Sequence, residues 1–273
     1  TVNAIPATPA PTSNSPVCAG ATINLSTAAV TGATYAWTGP SAYTAATQNP
    51  TRPSATAAMA GTYSLTVTVN GCNSAVGTTA VVVNNVPTVT NTTLTQSICS
   101  GGTATFTPTS GVTGTTFAWT ATSSAGTITG FTSSGNGNIS DVLTNSGTTS
   151  GTVTYVVTPT GPAPTNCVGA SVNFVVTVKP LPIVTVPANI TTCPNTTVTA
   201  SAFTSTVTGT TYAWTNSNTA IGLGASGTGN TAAFTATNST TADITATITV
   251  TPTANGCTGT AATYTITVHP IPT

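Results

Sequence analysis

Charge is what this 273-residue chain lacks most. It holds two Lys or Arg, two Asp or Glu and one His, so that about 1% of its residues are charged, against roughly a quarter in an ordinary globular domain. The two cations, Arg52 and Lys179, stand alone. A nucleic-acid binder needs clusters of them to neutralise phosphates, and none is present. Calcium wants several carboxylates around one ion, and Asp141 and Asp243 are a poor supply. Long apolar runs are missing as well: the longest stretches, such as "AVVV" at 80–83, are far short of the eighteen or more residues of a membrane-spanning helix. No dozen-residue window carries a 3.6-residue apolar period with helix caps. Disorder, the usual refuge of a chain rich in Thr, Ser, Gly and Pro, goes with low hydrophobicity and high net charge. Here the hydrophobic fraction is 38% and the net charge zero.

What is there is threonine, at 73 positions. Its β-branched side chain favours strands, and its hydroxyl keeps an outward face wet without charge. Segments such as "TYSLTVTV" (62–69), "TVTYVVT" (152–158), "VNFVVTV" (172–178) and "TYTITV" (263–268) alternate, or run as β-branched and aromatic residues, between Gly, Pro and Asn punctuation. They read as strands, and the chain as all-β.

Four short phrases share one frame: "VNAIP" ending at Pro6, "VNNVP" at Pro87, "VKPLP" at Pro182 and "VHPIP" at Pro272. The intervals of 81, 95 and 90 residues between them mark three modules. The expected division is 1–6 as the tail of a preceding junction, then modules at 7–87, 88–182 and 183–272, the whole being a section of a longer array. Within each module a cysteine comes first, a tryptophan follows 19, 20 or 21 residues later, and a second cysteine precedes the last strands: Cys18, Trp37, Cys72; Cys99, Trp119, Cys167; Cys193, Trp214, Cys257.

Two cysteines per module read as disulfides in an oxidising, extracellular setting. Zinc would want paired ligands at short spacing, and each cysteine here is isolated, with His269 the one histidine. The expected pairing is internal: Cys18 with Cys72, Cys99 with Cys167, Cys193 with Cys257. Pairing between neighbours, for example Cys72 with Cys99, stays open, since spacing alone does not give connectivity.

Each tryptophan sits in one repeated phrase, "TYAW", "TFAW" or "TYAW". Residues two apart share a strand face, so Tyr35 with Trp37, Phe117 with Trp119 and Tyr212 with Trp214 each point one aromatic pair to one side. The competing readings are a sugar-stacking platform and a core. A tryptophan on an early strand, near a disulfide and ahead of a strand with Gly-Thr-Tyr, matches the packing of immunoglobulin-like sandwiches. Each module needs a large apolar anchor, so Trp37, Trp119 and Trp214 read as core.

The segments "CAGATINLS…ATYAWTGPSAYTAATQNP…AGTYSLTVTVNGC" (18–72), "GTTFAWTA…GTVTYVVTPT…NCVG…FVVTVKPLP" (114–182) and "GTTYAWTN…ITATITVTPTANGCTGT…YTITVHPIP" (209–272) carry a family resemblance. The first resembles immunoglobulin-like repeats of very large Bacteroidetes surface proteins, and the other two resemble the PKD-like repeats of the same proteins. The first module lacks "TVTPT" and is a distinct type. The resemblance implies three tandem immunoglobulin-like (PKD-like) β-sandwich modules in an extended array. It also implies a secreted cell-surface adhesin, of the kind linked to gliding motility, exported by a dedicated secretion system, with no catalytic residues and no cofactor.

Catalysis also fails from the residues. His269 falls in the junction frame where the other copies have Asn3, Asn84 and Lys179; Asp243 aligns with Ser150; and Asp141, in "GNGNISD", reads as a loop residue. Glycosidases need two carboxylates at one site, and these two fall in different modules. The Asn-x-Ser/Thr triplets at Asn24, Asn91, Asn138, Asn189, Asn195 and Asn238 are expected by chance in so threonine-rich a chain. Three readings follow: a structural stalk, whose partners are neighbouring repeats; a binder of surface glycans or proteins through sandwich-end loops; or a self-associating fibre subunit, since its sheet edges lack charged gatekeepers. For the binder, Tyr43 in "GPSAYTAAT" and Phe131 in "TGFTSSGNGN" are the candidate contacts.

Overall fold

The computed structural model describes residues 3–271; Pro272, the last residue of the fourth junction phrase, lies outside the described residues. Alternation decides where the strands form. Strand Gly151–Thr160 buries Val153, Tyr155 and Val157 on one face and turns threonines to the other, and Ile244–Ala254 repeats the pattern with Ala246, Ile248 and Val250. These two long strands are the centres of the main sheets of the second and third modules.

In the first module Ala33–Gly39 pairs with Tyr43–Ala45 on one side and Gly61–Val69 on the other, and Gly61–Val69 continues to Gly77–Val81. In the second the order is Thr95–Cys99, Val172–Lys179, Gly151–Thr160, Thr116–Ser123, Ser134–Asn136. The third repeats it with Ile190–Thr192, Ala262–Val268, Ile244–Ala254, Thr211–Asn216 and Ser226–Thr228. In both, the first strand named joins its neighbour in parallel and the rest are antiparallel. Smaller sheets cover the other side: Thr12–Ser13, Ile23–Ser26 and Thr51–Arg52 in the first module, and Gly102–Phe106, Ile139–Asn145 and Ile128–Thr129 in the second.

Side chains from the two layers meet in three separate cores. Across the second, Phe106 stacks on Phe174 with ring centroids 4.5 Å apart. Fully burying side chains of this size is worth about 1.5–3 kcal/mol each, which is how a chain almost without charge holds three domains. Two hairpins turn on Asn-Gly pairs: Asn70-Gly71 and Asn255-Gly256 all have positive φ, between 47° and 82°, as a two-residue type I′ loop requires. Each delivers a cysteine, Cys72 or Cys257, to the next ladder position.

The three tryptophans occupy one register. Trp37 faces Leu65, Trp119 faces Val157 and Trp214 faces Val250, and their exposures are 1%, 7% and 7%. On the other side Trp119 and Trp214 face Gly135 and Gly227, where any β-carbon would run into the indole ring. No described helix is long and apolar enough to cross a membrane.

Candidate functional site

The features that recur most closely between modules are not loops at the sandwich tips but the joints. A joint starts from the first cysteine of a module. Cys18 lies beside Asn84 in a parallel two-strand ladder, and Cys99 lies beside Lys179 in another. In each case the residue after the cysteine donates its N–H to the junction residue: Ala19 to the Asn84 carbonyl at 2.8 Å, Ser100 to the Lys179 carbonyl at 2.7 Å. The first cysteine therefore sits at the exit of its module, next to the chain that leaves it.

The second cysteine sits at the entry. In modules two and three it follows a positive-φ asparagine, Asn166 or Asn255, where the chain pairs back onto the end of the central strand: Cys257 lies opposite Ala254, and Val168, next to Cys167, lies opposite Thr160. The incoming junction lands there. Asn84 Nδ2 donates to Thr165 Oγ1 at 2.6 Å and Lys179 Nζ donates to the Asn255 carbonyl at 3.0 Å. Pro87 and Pro182 are buried, with their carbonyl oxygens set over Gly169 and Gly259, where a β-carbon would overlap them. These are close approaches that only glycine permits.

Exit and entry poles of neighbouring modules thus bring cysteines together, and the structure joins Cys18 to Cys167 and Cys99 to Cys257. Cys72 and Cys193 are free. This corrects the internal pairing expected from the sequence, Cys18–Cys72, Cys99–Cys167 and Cys193–Cys257. The physical reason is that the two cysteines of one module lie at opposite poles: Cys18 is beside Asn84 at the exit, whereas Cys72 Sγ is 3.9 Å from the carbonyl of Asn3 at the entry. The neighbour pairing considered from sequence, Cys72 with Cys99, is also replaced. The junctions are bridged, but from first cysteine to second.

The remaining residues singled out from the sequence are scattered. Tyr43 packs edge-on against Tyr63 with centroids 5.6 Å apart, and the Arg52 guanidinium lies 4.9 Å from its ring centre. Burial pushes its hydroxyl pKa up, the neighbouring Tyr63 adds to this and Arg52 opposes it. Phe131 packs, half-buried, against the core of the second module. Asp141 is not a loop residue as expected; it lies in strand Ile139–Asn145, because Ile139 and Leu143 on either side of it are buried and fix the alternation. Its carboxylate accepts from Thr132 N–H and Oγ1 at 3.0 Å each, and from the Tyr155 hydroxyl at 2.8 Å. Burial, and then this carboxylate, push the Tyr155 pKa far up. Asp243 meets His269 Nδ1 at 2.8 Å on the surface, far from Asp141 in sequence and in another module. Among the described residues no three His, Cys, Asp or Glu side chains gather as a metal site.

No curated protein matches the chain in sequence. Among solved structures, a three-immunoglobulin-domain I-band fragment of titin aligns over 97% of this chain and 99% of its own at 9% identity and a TM-score of 0.50; an E-to-A mutated variant of the same titin domains does so at 10% identity and 0.50. At such identities the likeness is one of fold. The three N-terminal domains of the bacteriophage RB49 outer capsid protein Hoc align over 97% of this chain and 99% of their own at 15% identity, with a TM-score of 0.39. The model of the PKD-like domain matches residues 96–182 and 190–272, the second and third modules and more than half of the chain. The chain belongs to the PKD-like domain family.

Proposed function

We propose that this chain is a stalk or fibre segment of a secreted bacterial cell-surface adhesin of the Bacteroidetes, gliding-motility type, with modules at 7–87, 88–182 and 183–272, that holds binding regions away from the cell. The observation that carries the reading is the double closure of each joint. A short proline-bearing connector is seated on the next module, and a disulfide ties the exit pole of one module to the entry pole of the next. Such a joint limits bending where a Gly/Ser linker would allow it. The disulfides and the family suggest an extracellular protein, and immunoglobulin-like and PKD-like folds are typically non-catalytic structural or binding modules.

Small-angle scattering on the intact chain tests this. Three sandwiches of about 40 Å in line should reach on the order of 100 Å. A compact particle of single-domain dimensions would overturn it.

A second reading, recognition of a glycan or protein, draws support from an opening of about 700 Å3 on the third module lined by Phe203, Tyr212 and Asn230. Aromatic and amide side chains at one mouth suit a sugar face. Its test is a glycan array with a Tyr212→Ala control: binding that this variant abolishes would favour it over a purely mechanical role.

A further inference from the structure

Cys72 and Cys193 occupy the two positions that a complete joint uses. Cys72 stands on the ladder beside Val69 as Cys257 stands beside Ala254, each behind an Asn-Gly turn with positive φ. Its surroundings are those of a seated joint. Asn3, in the junction frame of Asn84 and Lys179, donates Nδ2 to the Asn70 carbonyl at 3.1 Å, as Lys179 donates to the Asn255 carbonyl at 3.0 Å. The Asn3 carbonyl of the incoming junction lies 3.9 Å from Cys72 Sγ. In both complete joints the strand lying beside the junction residue brings the first cysteine: Cys18 beside Asn84, Cys99 beside Lys179.

Cys193 is the other half. The parallel ladder sets Thr192 opposite Val268, and His269 N–H donates to the Thr192 carbonyl at 3.0 Å. Cys193 is therefore beside the outgoing His269, where Cys18 and Cys99 are beside Asn84 and Lys179. It is exposed and free.

We infer that Cys72 and Cys193 are open halves of the same joint, each shaped to take the complementary cysteine of an adjoining module of this design, so that exit-to-entry disulfides continue as a covalent ladder. Cys72 takes a first-type cysteine from the module on its N-terminal side; Cys193 takes a second-type cysteine from the module on its C-terminal side. The bond forms by exchange. Two thiols give up two electrons and two protons to a disulfide of the oxidised-glutathione or thiol-oxidoreductase class, which leaves as two thiols, and the protein sulfurs are left joined. The inference does not need the stalk reading. Peptide linkage tests it and overall shape tests the stalk, so the two can fail separately.

The experiment extends the intact chain after Pro272 with a second copy of residues 183–273, in oxidised and reduced glutathione, followed by non-reducing peptide mapping. The expected result is a third bond, from Cys193 to the added copy's cysteine in the place of Cys257, beside the bonds Cys18–Cys167 and Cys99–Cys257, with two thiols left per chain. Cys193→Ser in the extended chain should lose that third bond and keep the other two. A parallel extension with a copy of residues 88–182 guards against misfolding of the first and should bond Cys193 to the copy's cysteine in the place of Cys167. If both extended chains form the two existing bonds but leave Cys193 as a thiol, or join it to Cys72 or to glutathione, the inference is wrong. Absence of Cys18–Cys167 and Cys99–Cys257 from the unextended chain would remove its basis.

Discussion

Pulling the chain by its two ends should stop far short of its full contour unless the disulfides are reduced. With both bonds intact, the shortest covalent path runs to Cys18, crosses to Cys167, returns along the second module to Cys99, crosses to Cys257 and leaves. At about 3.5 Å per extended residue, that path of roughly 100 residues reaches about 350 Å, and the reduced chain about 950 Å. The bonds thereby take most of the first and third modules out of the extensible path, so their cores can unfold without lengthening the molecule. Single-molecule force spectroscopy with terminal handles reads this directly, before and after a reductant, with the Cys18→Ser/Cys99→Ser variant as the chemical control. An oxidised chain that extends to the reduced length would refute the exit-to-entry connectivity. The internal pairing expected from sequence would instead close three separate loops and leave roughly 87 residues, about 300 Å, in the extensible path, so length alone separates oxidised from reduced chains and non-reducing peptide mapping separates the two pairings.

Removing one joint bond with Cys18→Ser should also destabilise its neighbours. With one module folded, unfolding the other opens a tethered loop of roughly 80 residues, worth up to about 4.5 kcal/mol on the chain-entropy model; calorimetry should show a fall in Tm of up to about 20–35 °C, while Cys72→Ser and Cys193→Ser leave Tm unchanged. Tyr155→Phe removes a hydrogen bond to a carboxylate and should cost about 1.5–3 kcal/mol by denaturant unfolding. Because the Tyr155 pKa is raised in the folded state, its contribution is complete below about pH 10, where the unfolded phenol begins to titrate, and is lost as pH rises beyond it; alkaline unfolding curves of Tyr155→Phe should be correspondingly flatter. Gly227→Val places a side chain against the Trp214 indole, and overpacking of this kind costs typically 1–3 kcal/mol, with loss of the cooperative transition of the third module as the readout. With almost no charge to screen, scattering profiles at low and high salt should superimpose, and a salt-dependent collapse would contradict the composition argument.

Much of this was determined by the chain's local chemistry. Threonine alternating with Val, Ile and Tyr fixes strand faces within a few residues, so the all-β class follows from sequence alone, and so does the shared direction of Tyr35 with Trp37 and of its two counterparts. Asp141 escaped because "GNGNISD" is loop-like in composition, yet Ile139 and Leu143 bury themselves and carry the residue between them into a strand. Nothing local marks its bond to Tyr155, fourteen residues away. The joint glycines were equally silent, since Gly169 and Gly259 matter only because a proline carbonyl from the preceding junction lies over them. The cysteines show the limit most clearly. Their spacing is regular under either pairing, and a sequence does not say at which pole of a sandwich a residue ends up. Strand order decides that: parallel pairing of the early strand with the last one puts Cys18 and Cys99 at the exit, the hairpin beyond the central strand puts Cys257 at the entry, and a bond between them exists only once two modules are stacked end to end.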